Sequence, residues 1–234
     1  MVVDVHSHIL PGIDDGSRSV EQSLQMLRLS RAQGVNEVIL TPHFDPRHHT
    51  PEGFLERRRC SMEALCSGIR PDMELPAMRL GAEVFYYPNM CCSDELERLA
   101  IEGTRGLLVE MPRGIWTDRM YRDLEGIHSN LGLTPIVAHV ERYLGRFRDY
   151  GIPGCLEQLP VLVQANASFF LNGSRGLNML RMHRIHLLGS DCHNLSNRSP
   201  NLGPALERIG QKLGPEAIRW LQTNAQKLLE DPIM

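Results

Sequence analysis

The sequence of 234 residues lacks the features of membrane, secreted and nucleic-acid-binding proteins. No apolar run approaches the roughly 18 residues that span a bilayer. The start of the chain has no basic segment followed by an apolar stretch, which predicts that no signal peptide is present. The formal net charge is −3, so the basic excess typical of nucleic-acid binding is also missing. We therefore expect a cytoplasmic protein with no membrane insertion and no nucleic-acid partner.

The cysteines do not form metal-binding or disulfide patterns. The six cysteines show no C-x-x-C pair, so neither a thiolate zinc site nor a disulfide framework is predicted. They are interpreted as reduced thiols. They are Cys60, Cys66, Cys91, Cys92, Cys155 and Cys192.

Short apolar or β-branched runs alternate with longer segments of helical periodicity. The predicted strands are residues 2–5, 37–41, 79–84, 106–110, 134–139, 161–166 and 186–190. The predicted helices are residues 19–33, 54–68, 93–102, 118–131, 178–183, 204–213 and 215–229. Such alternation favours parallel strands with right-handed crossovers in an α/β fold. Seven units suggest a barrel, with an open doubly wound sheet as the alternative, and no linker divides residues 1–234, so one domain is expected.

Polar side chains with metal-binding groups lie at the carboxyl end of six of the seven predicted strands or in the loop directly after it. They are His6, His8, His43, Glu83, Glu110, His139, Asp191 and His193, and Asp15 joins them from the loop after the first strand. The carboxyl ends of parallel strands share one rim, where active sites of α/β folds are built. A single His or Glu at a strand end is usually a hydrogen-bonded surface residue, but the collective pattern favours a metal centre.

The donor set restricts the metals that could bind. Imidazole and carboxylate ligands without thiolate suit Mn²⁺, Zn²⁺, Fe²⁺ or Mg²⁺. Nine ligands exceed the needs of one ion, so two or three ions are expected, with Glu83 suited to bridging two of them. Such clusters activate water and stabilise charge in phosphoryl displacement. Five other histidines lie outside the pattern and are interpreted as surface or core residues: His48, His49, His128, His183 and His186.

Several short motifs resemble one known family. They are HSH at 6–8, DDG at 14–16, PH at 42–43, GAE at 81–83, AHVERY at 138–143 and SDCHN at 190–194. The chain resembles the polymerase and histidinol phosphatase (PHP) family. Within it, the segment ILPGIDDG at 9–16 resembles the manganese-dependent protein-tyrosine phosphatases of bacterial capsular and exopolysaccharide operons.

The resemblance implies a distorted (β/α)7 barrel that holds three metal ions, usually manganese. The nine candidate metal ligands, from His6 to His193, all match ligand positions of the family. In the pair of neighbouring aspartates, Asp15 and not Asp14 is the one that matches. It also implies that the substrate is a phosphotyrosine protein, namely a bacterial tyrosine kinase whose tyrosine-rich tail controls polysaccharide export.

Two arginines are candidates for binding the phosphate. Arg142 lies three residues after His139, and Arg198 lies five after His193. Both therefore belong to loops of the rim, and a guanidinium group can hold phosphate through two hydrogen bonds. Both also match the family. Tyr86 and Tyr87 are candidates for lining the pocket.

Other functions are compatible with parts of the pattern. Residues 192–199, CHNLSNRS, satisfy the C-x₅-R-[ST] signature of thiol-based tyrosine phosphatases, in which Cys192 would attack phosphorus and Arg198 would bind the phosphate. A small-molecule phosphatase of histidinol-phosphate type, a nucleic-acid phosphodiesterase and a non-catalytic metal-binding scaffold are further alternatives.

Overall fold

The computed structural model describes residues 1–145 and 151–231. Its strands are β1 (Val3–Ser7), β2 (Glu37–Leu40), β3 (His43–Phe44), β4 (Ala77–Leu80), β5 (Glu83–Phe85), β6 (Gly106–Glu110), β7 (Thr134–Val137), β8 (Leu162–Asn166) and β9 (Leu187–Gly189). Its α-helices are α1 (Val20–Ala32), α2 (Pro51–Ser67), α3 (Asp118–Leu131), α4 (Ile152–Leu156), α5 (Ser168–Leu171), α6 (Arg175–Arg181), α7 (Leu202–Leu213) and α8 (Pro215–Leu229). No helix in these two ranges is long and apolar enough to cross a bilayer.

The strands form a distorted seven-stranded parallel barrel. One sheet has the order β1-β2-β4 and the other β3-β5-β6-β7-β8-β9. Two residues separate β2 from β3, and two separate β4 from β5, so each pair is one interrupted strand that passes from the first sheet to the second. A parallel bridge joins Ser7 to Cys192, and the His8 amide donates to the Cys192 carbonyl at 2.9 Å. This contact closes the ring between β9 and β1, and it excludes the open doubly wound sheet.

Apolar side chains from both sheets share one core. Val3, Val5 and Ile39 of the first sheet pack in the same cluster as Leu108 and Ile136 of the second. A larger cluster lies between the strands and the surrounding helices. Strands that are covered on both faces have continuous runs of apolar residues in the sequence. For this reason both ends of the strand Gly106–Glu110 were predicted correctly.

The main error in the predicted elements concerns residues 93–102. An α-helix was expected there, but the structure has a 3₁₀-helix over Asp94–Leu99. Its two buried leucines, Leu96 and Leu99, are three residues apart, a spacing that three residues per turn satisfies as well as 3.6. Periodicity therefore could not separate the two helix types. The short helices α4 and α5 were not predicted.

We predict that Gly189→Ala disturbs the carboxyl end of β9. A Cβ at this position would lie 2.5 Å from Cβ of His6 and 2.9 Å from Nε2 of Gln164. Overpacking of this kind costs about 1–3 kcal/mol, so the urea midpoint of unfolding should fall. Gly154→Ala is the control, because its Cβ would meet nothing within 4 Å. Equal midpoints for the two variants would contradict the tight contact.

Candidate metal centre

The structure brings all nine predicted ligand residues to the carboxyl ends of the strands. Three groups of ligand atoms form there, each with its atoms within 4.8 Å of one another. The groups are His6, His8 and Glu83; His43, Glu83 and Glu110; and His8, Asp15, His43 and His193. His139 and Asp191 join them through contacts described below. Their role as metal ligands remains a prediction, but their predicted proximity is observed.

The first group is the most deeply buried. Nε2 of His6 and Nε2 of His8 lie 3.1 Å apart, and they lie 3.1 and 3.2 Å from Oε2 of Glu83. Oδ1 of Asp191 is 3.6 Å from the first nitrogen and 3.4 Å from the second. Ligand atoms about 2.0–2.2 Å from one cation lie about 3.0–3.5 Å from each other. The atoms of His6, His8 and Glu83 therefore have the spacing of a single coordination sphere, and Oδ1 of Asp191 lies next to its two nitrogens.

Glu83 connects this group to a second one through its other oxygen. Oε1 of Glu83 lies 2.7 Å from Nε2 of His139, and that nitrogen is 3.4 Å from Oε1 of Glu110. One carboxylate thus faces two separate sets of donors. This is the arrangement required of a bridging ligand, the role that the sequence predicted for Glu83.

A third group lies at the outer edge of the rim. Oδ1 of Asp15 is 3.5 Å from Nε2 of His43 and 3.4 Å from Nε2 of His193. The side chain of Asp15 is 66% exposed, whereas His193 is buried. This group therefore opens to solvent, in contrast to the first two.

Unpaired polar atoms test whether the residues fit a metal. Four buried atoms of this cluster lack a well-directed hydrogen bond to any described residue: Nδ1 of His43, Oε2 of Glu83, Oδ1 of Asp191 and Nε2 of His193. Their nearest polar neighbours belong to the same cluster: Nδ1 of His43 lies 3.0 Å from Oε2 of Glu83, and Nη2 of Arg198 lies 2.7 Å from Oδ1 of Asp191. Several such atoms converging at one place are characteristic of a site built for cations. The donor set and its spacing therefore fit divalent metal ions.

Hydrogen bonds fix which nitrogen of each histidine faces the cluster. Nδ1 of His8 lies 2.7 Å from Oδ2 of Asp14, and Nδ1 of His6 lies 3.2 Å from Oε1 of Gln164. Because Asp14 accepts only, the proton of His8 belongs on Nδ1, which leaves the lone pair of Nε2 for a cation. Metal-binding histidines commonly donate their other N–H in this way.

The same pattern holds for two further histidines. Nδ1 of His193 lies 3.0 Å from the Asp191 carbonyl oxygen. Nδ1 of His139 lies 3.4 Å from the buried hydroxyl oxygen of Tyr143, and that oxygen accepts from the Met111 amide at 2.8 Å. In each case Nε2 is the nitrogen that faces the carboxylates.

Three residues that position the ligands were missed by sequence reasoning. Asp14 was considered only as the neighbour of Asp15. Gln164 and Asn166 lie on β8, the one strand that contributes no predicted ligand. The Nε2 amide of Gln164 donates to Asn166, whose Nδ2 donates to Oδ2 of Asp191 at 2.8 Å. Their signal was two polar residues at spacing two in an otherwise apolar strand, which places both on one face.

Two ligand candidates have backbone conformations that are rare for non-glycine residues. His139 has a φ of 35° and Asp191 a φ of 52°, both in the left-handed region. Such conformations persist where the surroundings hold them, and they cluster at functional sites. Here they turn both side chains into the cluster at the ends of β7 and β9.

The electrostatics favour ionised carboxylates. Burial alone would lower the pKa values of His6 and His8, but the neighbouring carboxylates outweigh it and raise both. Burial alone would raise the pKa of Glu83 and Asp191, but the neighbouring histidines outweigh it and hold both pKa values well below their usual range. The hydrogen bond and charge of His8 likewise outweigh burial and lower the pKa of Asp14. Burial, helped by His8 and Arg198, lowers the pKa of His193 to about 4, so this ring is neutral at pH 7.

Both predicted arginines lie against the carboxylates of the cluster. Arg142 donates from Nη1 to Oε1 of Glu110 and from Nη2 to Oδ2 of Asp191, both at 2.8 Å. Nη2 of Arg198 lies 2.7 Å from Oδ1 of Asp191, and the side chain is 36% exposed. The Arg198 amide donates to Oδ1 of Asn194 at 3.1 Å, which holds the loop that carries it.

The Cys192 alternative is not supported by the structure. The thiol is fully buried among apolar residues, whereas a nucleophilic cysteine must reach its substrate. Burial and the nearby Asp4 raise the pKa of Cys192, so the thiol stays protonated. The match to the C-x₅-R-[ST] signature arises because Cys192 occupies the barrel-closing position between two ligand candidates.

Comparison with known proteins places the chain in a family. The model of the family described as "Capsular polysaccharide synthesis, CpsB/CapC" matches residues 2–230. The chain belongs to the CpsB/CapC family. This confirms the resemblance that was predicted from the motifs.

Two curated relatives match over most of their length. The chain is 28% identical to tyrosine-protein phosphatase CpsB of Streptococcus pneumoniae, with 100% of both chains covered. It is 27% identical to tyrosine-protein phosphatase YwqE of Bacillus subtilis, with 98% of this chain and 92% of the relative covered.

Solved structures support the fold. One solved structure superposes on this chain with a TM-score of 0.82 at 22% identity. It comes from work on YwqE of Bacillus subtilis and CpsB of Streptococcus pneumoniae, which are described as metal-dependent tyrosine phosphatases. The match covers 100% of this chain and 96% of that chain. The phosphotriesterase homology protein of Escherichia coli, at a TM-score of 0.53 and 10% identity over 97% of this chain and 98% of that chain, has a related fold.

We predict that Asp14→Asn weakens metal binding without unfolding the protein. The substitution keeps the shape of the side chain but removes the charge that holds the N–H of His8. Loss of such a partner typically lowers metal affinity about 10–100-fold. Calorimetric titration of metal-free protein with Mn²⁺ measures the change. Asp72→Asn, which removes an exposed carboxylate whose one ion-pair partner among the described residues is Arg70, should bind Mn²⁺ like the wild type. Equal affinity of the Asp14 variant and the wild type would contradict the assigned role.

Proposed function

We propose that this CpsB/CapC-family protein is a metal-dependent protein-tyrosine phosphatase that hydrolyses phosphotyrosine monoesters. The observation that carries the proposal is the convergence of nine imidazole and carboxylate side chains and two arginines on one rim of the barrel. Relatives of similar length are named tyrosine-protein phosphatases. Residues 1–234 act as one phosphoesterase domain in this proposal.

The proposed centre holds two or three divalent ions, with Mn²⁺ preferred over Fe²⁺, Zn²⁺ or Mg²⁺. Its proposed ligands are His6, His8, Asp15, His43, Glu83, Glu110, His139, Asp191 and His193. Divalent ions would supply Lewis acidity, which makes water a stronger acid and neutralises phosphoryl charge. The hydrogen bonds of Asp14 and Gln164 support this assignment, since they leave Nε2 of His8 and His6 free to coordinate.

The two arginines have related but unequal roles. Arg198 is the more exposed, and only one of its nitrogens faces Asp191, so it has donors left for a substrate phosphate. Arg142 is half-buried and joins Glu110 to Asp191, so it orients two ligands and adds positive charge beside the phosphate. Their charge stabilises the transition state, in which negative charge spreads over the phosphoryl oxygens.

Phosphotyrosine is a suitable substrate for such a site. The leaving phenol has a pKa of about 10, so it can depart with little help from a general acid. We propose a phosphotyrosine protein as the physiological substrate, namely a bacterial tyrosine kinase that regulates capsular or exopolysaccharide synthesis. The family description, which names capsular polysaccharide synthesis, supports this assignment.

We further propose that the protein acts in the cytoplasm. All six cysteines lie within the described residues and all are free. Unpaired thiols in this number are typical of reducing compartments.

Removal of the metal tests the function directly. Metal-stripped protein should not hydrolyse a phosphotyrosine peptide, and added Mn²⁺ should restore turnover. Treatment with a thiol alkylator, and the variant Cys192→Ala, should leave activity largely intact. Activity that survives chelation but is lost on alkylation would support the thiol mechanism instead. Metal binding without hydrolysis of any phosphotyrosine peptide would favour a small-molecule phosphatase or a scaffold. An assay with histidinol phosphate as substrate would then distinguish these two, because a scaffold would not hydrolyse it.

Arg198→Gln should lower kcat/KM for a phosphotyrosine peptide about 100-fold, since removal of one preorganised donor to a developing anion has effects of this size. Arg198→Lys should recover part of the activity, because it keeps the charge but loses the paired hydrogen bonds. Arg181→Gln, an exposed change on α6, is the control and should not alter turnover. Unchanged kinetics in Arg198→Gln, with metal content equal to the wild type, would remove Arg198 from the mechanism.

A further inference from the structure

A cavity opens directly beside the candidate metal centre. Its volume is about 440 Å³, and Glu110 of the centre forms part of its lining. The opposite walls come from the segment after β5, which includes Tyr86 and Tyr87, and from the segment after β6, which includes Arg113. Ligand sites commonly have volumes of about 300–1,000 Å³, so the cavity can hold a side chain with its flanking backbone.

One wall of the cavity is aromatic and held in place. The ring of Phe85 stacks on His43, with 5.2 Å between centroids and 28° between planes. The hydroxyl of Tyr86 donates to Oδ2 of Asp123 at 2.7 Å, which fixes its ring. Tyr87 completes the wall and makes no hydrogen bond through its hydroxyl to the described residues. Aromatic rings prefer stacked or edge-to-face partners, so this wall suits another ring.

The facing wall is a loop anchored by a buried tryptophan. Trp116 lies edge-to-face on Tyr143 at 5.0 Å, and its Nε1 donates to the Pro112 carbonyl at 3.0 Å. This anchor leaves Arg113 exposed, and Ile115 is 76% exposed. Of the loop's exposed side chains, Arg113 therefore lines the cavity and presents a cation to it.

The two arginines of the cavity differ in their availability. Arg47 is held by Asp45 through Nε at 2.9 Å and Nη2 at 2.6 Å. Arg113 has no ion-pair or hydrogen-bond partner within residues 1–145 and 151–231. A cation without a partner beside an aromatic wall complements an acidic segment that carries an aromatic side chain.

We propose that this cavity receives the phosphotyrosine ring and that Arg113 selects substrates with an acidic residue close to that tyrosine. The proposal rests on the phosphatase function proposed above and adds its specificity. The phosphate would lie towards Glu110 and the metal centre, and the ring would contact Tyr86 and Tyr87. The acidic side chain would lie at the mouth, where it reaches Arg113.

The charge selection is tested with two phosphotyrosine peptides that differ only in Glu or Gln at the positions flanking the tyrosine. The wild type should have a kcat/KM roughly two- to fivefold higher for the Glu peptide, the size expected of one exposed ion pair. The preference should shrink at high ionic strength, because exposed charges are screened. Arg113→Gln should remove the preference, so that its kcat/KM values for the Glu and Gln peptides become equal. Arg122→Gln, the same exposed charge change on α3, is the control and should keep it.

The outcomes separate this inference from the phosphatase function. Hydrolysis of both peptides at equal rates by the wild type, or a preference that survives in Arg113→Gln, would overturn the role of Arg113 alone. Failure to hydrolyse either peptide in the presence of Mn²⁺ would instead contradict the phosphatase function.

The ring pocket is tested at Tyr87 with phosphotyrosine amide, which carries no flanking charge. Tyr87→Leu should raise KM roughly two- to tenfold through loss of the ring contact, whereas Tyr87→Phe should retain the wild-type value. Inhibition by inorganic phosphate should be equal in all three proteins, since phosphate alone would not reach this wall. An unchanged KM in Tyr87→Leu, or a parallel loss of phosphate inhibition, would contradict the assigned pocket.

Discussion

The carboxylate of Glu83 is the contact on which the candidate site depends. It is almost fully buried, and nitrogens of His6, His8, His43 and His139 lie within 2.7–3.2 Å of its two oxygens. Burying an ionised carboxylate costs several kcal/mol unless its negative charge is compensated. The four imidazoles around Glu83 compensate this charge only when protons or cations lie between them and the carboxylate. The burial of Glu83 is therefore stable as part of a cation site and unfavourable as part of an apolar core.

Closure of the barrel is what makes this contact possible. His6 and His8 come from the end of β1, Glu83 from β5 and Asp191 from the end of β9, so their atoms meet only if the first and last strands are neighbours. The bridge between Ser7 and Cys192 makes them neighbours. Cys192 thus has a structural role through its backbone, whose carbonyl accepts from the His8 amide and so aligns the ligands on either side of it.

The sequence was sufficient to predict most of the strands and the residues at their carboxyl ends. Parallel strands put their carboxyl ends on one rim, so residues such as His43, Glu110 and His139 could be grouped before any coordinates were known. Asp14 and Gln164 escaped because their function lies in a hydrogen bond to a specific ring nitrogen, which spacing along the chain does not encode. For the cavity beside Glu110, only Tyr86 and Tyr87 were anticipated from the sequence. Its facing wall was not, since the two walls follow different strands and their distance depends on how the loops fold.

The positions of the charged groups suggest a division of labour between strands and loops. The buried ligands lie on strand ends, where packing on both faces leaves little freedom, and such rigid placement is what metal coordination needs. Arg113, Arg198 and Asp15 lie on loops and are more exposed, so changes there leave the barrel core untouched. A chain that shares 28% of its residues with a relative can therefore keep the ligand set while its loops diverge. On this argument the loops after β3, β5 and β6, which surround the cavity, are where members of the CpsB/CapC family should differ in the substrates they select.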